Sequence, residues 1–304
     1  MAAAPRVEVE VRPRWPYRLP RAGRDGVMRR PTAGALLRLL HVDGEPIAVG
    51  VRQPAPDRVV FRATAGDEAP VARDLLEVAI ERMRFALGVD EDLSDFYATF
   101  SRDPRVGPAV RARPWHRPRR RPWPWEALAW AVTEQLIESS RAAEIQRRIV
   151  GRWGPRRRIG AEELRDVPGA AVIAGRAPAE LASIDLAPSR AAALIRCARE
   201  VSLGRADPAR AGDDRRLLRL AGIGPWTVQC LGFHGRGDPD ALPAGDLAYV
   251  KLVGRLAGLG RRATVPEIEE YFAPYAPYRG LAGSFMLTRW HGRIAAGPPL
   301  RMAA

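Results

Sequence analysis

Asp246 is the residue of this chain best set for chemistry. It stands in LPAGDLAYVKLVGRL, after Pro243 and Gly245 and directly ahead of a helical run. Its plain reading is a helix N-cap, since an aspartate there accepts the first free N–H groups and favours the positive end of the helix dipole. An ionised carboxylate in that place can also stabilise growing positive charge and orient a water molecule. Upstream, AGIGPWTVQC sets Gly222, Ile223 and Gly224 in front of Pro225, Trp226 and Thr227. Glycine ends the helical segment before it, and proline suits the first position of the helix after it. Such a turn exposes unpaired backbone N–H groups with almost no side chain in the way, which makes a seat for a phosphate. An ordinary helix–helix connection has the same local sequence, so the glycines alone leave both readings open.

Few other residues offer chemistry. Cys230 and His234 stand at i, i+4, a spacing that lets two ligands share a helix face. His41, His116 and His291 are scattered, and Cys197 is the only other cysteine, so neither a disulfide framework nor a four-thiolate metal site can be assembled. The expectation is no metal and no organic cofactor, with Cys230 in the core and His234 at a helix end. Lys251 is the only lysine.

The elements that must position these residues follow from pattern. ALLRLLHV, Asp43-Gly44, PIAVGVRQ, the loop PAPD and RVVFRAT, within residues 32–64, read as strands joined by a tight hairpin turn and a Pro-rich loop. EAPVARDLLEVAIERMRFALG then has helical spacing, with Leu75, Leu76, Val78, Ala79, Met83 and Leu87 on one buried face. Residues 1–105 are therefore expected to form an α+β N-terminal domain. Residues 106–124 are dense in proline and arginine and read as a linker or strap, either solvated or lying along a duplex. From Trp125 onward the texture is helical, predicting an all-α body over residues 125–304. In it DDRRLLRLA forms the helix before the glycine turn, its apolar side made by Leu217, Leu218 and Leu220.

Composition names the class of partner. Lys+Arg is 49 against Asp+Glu 35 in 304 residues, a formal net charge of +14, and such a balance points to a polyanion. Arginine carries nearly all of it and binds phosphate through its fork of donors. No apolar run approaches the ~18 residues of a spanning helix, and MAAAPRVEVEVRPRW lacks a signal-peptide core, so a cytoplasmic, nucleoid-associated protein without a membrane partner is expected.

LLRLAGIGPWTVQC followed by LPAGDLAYVK resembles the helix-hairpin-helix plus Gly/Pro-Asp signature of the DNA glycosylase superfamily. The Pro-Trp-Thr after the glycines is similar to its alkylation-repair, 3-methyladenine DNA glycosylase II branch. WEALAWAVTEQLIESSRAAEIQRRIVGRWG resembles the family's first core helices, where a Gln-containing turn faces the minor groove, and LAPSRAAALIRCARE resembles the helix leading to the hairpin. The likeness is strongest over 125–256 and implies an α+β domain followed by an all-α helix-hairpin-helix glycosylase body.

Carried over residue by residue, the resemblance implies that Asp246 is the catalytic carboxylate. It implies that Gly222, Ile223, Gly224 and Thr227 hold a phosphate of the damaged strand, and that Leu136, after Gln135, wedges into the duplex. Glu134 departs from the glycine expected before that glutamine. Trp226, Tyr249, Trp125 and Trp130 are candidates for an aromatic wall that binds a flipped cationic base. In the resembling bifunctional enzymes a lysine sits two residues after the second hairpin glycine, where this chain has Trp226, and Lys251 lies five residues past Asp246. The resemblance therefore implies a monomeric, monofunctional enzyme that binds damaged duplex DNA and hydrolyses the N-glycosidic bond of an alkylated purine. A non-catalytic helix-hairpin-helix DNA-binding module and a glycosylase for oxidised or deaminated bases are the rival readings.

Overall fold

The computed structural model describes residues 5–31, 34–65, 72–159 and 162–294, the last four of these by their backbone alone. The expectations touching residues 1–4, 32–33, 66–71 and 295–304, and the side chain of His291, lie outside the described residues.

Strands β1 (Arg6–Val11), β2 (Met28–Arg29), β3 (Leu36–Val42), β4 (Glu45–Ala55) and β5 (Arg58–Ala65) form an antiparallel sheet in the order β1-β5-β4-β3-β2. Asp43 and Gly44 both take positive φ between β3 and β4, as a two-residue hairpin requires. PAPD does not break the sheet as expected. β4 runs through Pro54 past a register shift after Arg52, where a proline without an N–H is tolerated. β1 was not anticipated, although RVEVEV alternates as a half-buried strand does. Val7 and Val11 face the core, and Glu8 meets Arg62 across the strands at 2.7 Å.

Helix α1 (Arg73–Leu87) covers one face of the sheet through Leu76, Ala79, Ile80, Met83 and Leu87, with Leu75 and Val78 half-buried beside them. The rest of the chain forms α2 (Ser94–Phe100), α3 (Gly107–Ala112), α4 (Pro124–Glu134), α5 (Ser139–Trp153), a hairpin of β6 (Arg156–Ile159) and β7 (Glu162–Arg165), and the short α6 (Ala170–Ala174) and α7 (Pro178–Ala182). These are followed by α8 (Pro188–Ser202), the single turn α9 (Asp214–Leu217), α10 (Pro225–Cys230), α11 (Leu247–Leu256), α12 (Val265–Phe272) and α13 (Arg279–Ile294). The body is thus not all-α. The β6–β7 hairpin lays Leu164 on Leu39 and Ala48 and so covers the second face of the sheet, a tertiary demand that overrides weak local propensity.

Packing divides the chain elsewhere than at residue 105. Phe96 and Phe100 of α2 and Val110 of α3 share one core with Leu252, Ile268, Phe272 and Phe285 of the last three helices, and Phe96 stacks on Phe285 at 5.5 Å. A second helical core joins α4, α5 and α8 through Leu128, Val132, Ile145, Ile149, Leu194 and Ile195.

The Pro/Arg-rich stretch is not a solvated linker either. It contains α3 and then runs across the molecule with Arg117, Arg120 and Arg121 turned inward, while Arg111 and Arg119 stay exposed. Arg117 donates to Gly88 O at 3.2 Å, Arg120 pairs with Glu91, and Arg121 pairs with Asp25 and Glu126. Beside it Arg38 of β3, 0% exposed, reaches Glu126 at 2.7 Å and Asp166 at 2.9 Å. The planar fork of arginine suits it to several buried acceptors at once. Burial opposes ionisation of Asp25, yet the Arg121 and Arg38 guanidiniums hold its carboxyl below the ordinary value. This network fastens the sheet to the helical body.

Candidate active site

The glycine turn is built by a helix that stops early. α9 ends at Leu217, which is buried, because Arg219 and Leu220 donate back only three residues, to Arg216 and Leu217. DDRRLLRLA is therefore a turn followed by tighter bonds, not one helix to Ala221, and Leu218 is left 41% exposed. Gly222 follows with φ +91°, a conformation that favours glycine, and a Cβ there would lie 2.9 Å from Ala193 Cβ. Gly224 is extended, caps α10, and has open space where a Cβ would point. The N–H groups of Gly222, Gly224 and Trp226 form no hydrogen bond among the described residues. Ile223 differs from expectation. It is buried and its N–H donates to Leu220 O at 3.0 Å, so it is not available to a phosphate.

Thr227 is also corrected. It is 1% exposed and its Oγ1 accepts Gln135 Nε2 at 2.9 Å. The same Nε2 donates to Gly222 O at 2.9 Å. Leu136, next in sequence, has φ +54° and is 104% exposed, an apolar side chain held out in a backbone conformation that costs a non-glycine residue energy.

α10 continues as a π turn over Leu231–Arg236, and π turns concentrate at functional sites. His234 in that turn donates through Nδ1 to Arg119 O, and Arg121 N donates to His234 O at 2.8 Å, which binds the arginine strap to the turn. Beyond it Asp246 caps α11, its Oδ1 accepting Ala248 N at 2.7 Å. The capping reading of Asp246 is thus correct, and it does not exhaust the residue.

Asp246 also lines a cavity of about 740 Å³ at the junction of the sheet and the two helical cores. The cavity is lined by Trp226, Cys230, Phe233 and His234, by Tyr249 and Glu134, and by Trp115, His116 and Arg119 of the strap. The volume is within the range of small-ligand sites. The indole N–H of Trp226 is buried without a partner. Burial raises the Tyr249 phenol, with the Asp246 charge adding, so Tyr249 is a neutral, ring-presenting wall. Burial also pushes the Cys230 thiol well up, Glu134 and Asp246 contributing, and holds the His234 imidazole below its ordinary value. Cys230 is buried and His234 stands in the last turn of its helix, as expected, and both also line the cavity. Among the described residues no three His, Cys, Asp or Glu side chains gather as a metal site.

Two expected wall residues lie elsewhere. Trp130 is 2% exposed in the core and donates Nε1 to Asp25 at 3.1 Å, and Trp125 donates to Pro168 O at 3.0 Å and faces a different cleft. Aromatic residues at helical spacing usually pack, and packing of α4 against its neighbours turned these two away from the cavity. Sequence reasoning missed Phe233, Trp115 and His116. The PWHRPRRRPW run carried two of them, hidden in what read as a linker. Lys251 is exposed on α11 and does not line the cavity.

A hairpin with free backbone N–H groups, a carboxylate capping the next long helix and an aromatic cavity between them define a helix-hairpin-helix glycosylase fold. No family model matches the chain. It is 25% identical over 231 residues to a DNA-3-methyladenine glycosylase of Bacillus subtilis, which spans 72% of this chain and 75% of that one. It is 30% identical over 259 residues to a probable bifunctional transcriptional activator/DNA repair enzyme AlkA of Mycobacterium tuberculosis, covering 81% of this chain and 48% of that longer relative. In structure it is similar to the 3-methyladenine DNA-glycosylase from Archaeoglobus fulgidus, with a TM-score of 0.77 at 18% identity over 94% of this chain and 99% of that one. These likenesses support the helix-hairpin-helix DNA glycosylase superfamily, 3-methyladenine DNA glycosylase II type, as the family this chain resembles. Among the described residues no helix is long and apolar enough to cross a membrane.

Proposed function

We propose that the protein is a monofunctional DNA glycosylase that removes alkylated purines from duplex DNA. The observation that carries this is Asp246, which lines an aromatic cavity together with Trp226 of α10, the helix whose N-terminus follows the free N–H groups of Gly222 and Gly224. A carboxylate beside a strand-binding hairpin only repels DNA unless it acts on charge that develops there.

Extruding a base from the stack costs a few kcal/mol, which phosphate contacts and pocket stacking offset. Gly222 and Gly224 supply the first and Leu136 fills the gap left in the duplex. Trp226 and Tyr249 receive the base. Alkylation at a ring nitrogen leaves a purine cationic, so its glycosidic bond is already weak and an aromatic face attracts it. As the bond breaks, positive charge grows on the sugar, and the Asp246 carboxylate stabilises it and orients the attacking water. Among the described residues no amine side chain stands at the site: Trp226 holds the hairpin position and Lys251 is exposed on α11. Water is therefore the nucleophile.

The test is release of free methylated base from alkylated duplex DNA without added metal, followed by chromatography, together with borohydride reduction of the reaction. The expected product is an intact abasic strand with no protein–DNA adduct. An adduct lost in Lys251→Ala would make Lys251 the nucleophile and overturn the monofunctional reading. Absence of base release would overturn the enzymatic one.

A further inference from the structure

Glu134 is the last residue of α4 and lines the same cavity as Asp246. It is half-buried, and its Oε1 accepts Gln146 Nε2 at 3.0 Å. Gln146 in turn donates to Thr133 Oγ1 at 3.0 Å, so the carboxylate is held in place. What Glu134 lacks is a counter-ion: among the described residues no basic side chain comes within 4.0 Å of it. Arg121, which feels the Glu134 charge, is bonded to Asp25 and Glu126, and Arg190 donates Nη1 to Thr133 O at 3.0 Å.

Two separate costs fall on this group. A carboxylate drawn part way out of water without a partner is destabilising. It also sits at the C-terminal end of a helix, where the dipole is already negative. A cation delivered into the cavity would offset both.

We propose that Glu134 sets the substrate class of the site by charge, favouring bases that carry a positive charge over neutral bases of the same outline. The proposal rests on the glycosylase reading above. The aromatic wall and Asp246 already favour a cation, and Glu134 adds a second, separately removable carboxylate to that preference. At roughly 6 Å, with an effective dielectric between about 20 and 80, one such charge is equivalent to about 3- to 100-fold in affinity.

The test compares two duplexes with one modified guanine each. In the first, 7-methylguanine on a 2′-fluorinated sugar is cationic and protected from cleavage. In the second, 7-deaza-7-methylguanine has the same outline, no charge and an inert glycosidic bond. The wild type is expected to bind the cationic duplex about tenfold more tightly than the neutral one. Glu134→Gln keeps an acceptor for Gln146 and should lower that ratio about threefold or more while affinity for the neutral duplex stays within about twofold. Glu134→Gly removes the charge by a different route and should give the same ratio, so a folding defect in one variant, read by circular dichroism, leaves the other to decide. Equal losses on both duplexes, or an unchanged ratio, would overturn the role of Glu134. A wild type that releases no methylated base and prefers neither duplex over unmodified DNA would overturn the glycosylase reading instead.

Discussion

Gln135 Nε2 donates to Thr227 Oγ1 at 2.9 Å, a bond between residues 92 positions apart that ties the turn after α4 to the first turn of α10. Through its second bond, to Gly222 O, the same amide fixes the hairpin. The exposed Leu136 and the free N–H groups of the hairpin are thereby held as one rigid surface. A strand seated on the hairpin meets Leu136 at a fixed place.

Leu136→Gly should separate stability from activity. Relief of the left-handed backbone is worth about 1 kcal/mol, close to what glycine adds to the entropy lost on folding. The melting temperature should therefore stay within about 2 °C, while base release from duplex DNA falls about tenfold or more and release from single-stranded alkylated DNA changes less. A duplex rate like the wild type would show that Leu136 is not the wedge.

The two hairpin glycines should respond differently to alanine. Gly222→Ala forces a Cβ to φ +91° and to 2.9 Å from Ala193, so the protein should lose stability by about 1–2 kcal/mol in urea unfolding. Gly224→Ala meets open space at φ −117° and should fold normally. Its new methyl group stands beside a free N–H, so duplex binding should weaken equally for damaged and intact DNA, because backbone contacts to phosphate read no sequence. A binding defect confined to damaged DNA would contradict this placement.

Asp246→Asn preserves the cap, since asparagine serves that position as well as aspartate. Melting should shift by no more than a few degrees, whereas base release should fall by about 10²-fold or more with the loss of charge stabilisation. Binding to an abasic-analogue duplex should be equal or tighter, as one negative charge has left the strand's vicinity. Near wild-type cutting would reduce Asp246 to a helix cap.

His116 predicts a pH dependence. Burial, aided by Arg117 and Arg113, lowers it from 6.5 to about 4. The unfolded chain therefore binds a proton between those values that the folded one refuses, and stability falls as pH drops from about 6.5 to 4. Thermal melts at pH 7 and pH 4.5 should show a smaller acid-induced drop for His116→Gln than for the wild type. Equal drops would mean that His116 is protonated without penalty in the fold.

By itself the sequence determined the local devices. The Gly222–Gly224 turn, the proline opening α10, the cap at Asp246, the Asp43-Gly44 hairpin and the buried face of α1 are each set by residues a few positions apart, and steric and hydrogen-bonding rules act at that range. Tertiary structure alone decided which aromatics face the cavity. Trp125, Trp130 and Trp226 are alike in type and in helical setting, and the direction of each depends on elements far away in the chain. The same holds for Arg117, Arg120 and Arg121 of the strap, which look solvated in sequence and turn inward because Asp25, Glu91 and Glu126 meet them there. Glu134 shows this most sharply: its presence is visible in the sequence, but that no basic side chain forms an ion pair with it among the described residues is a property of the packed interior.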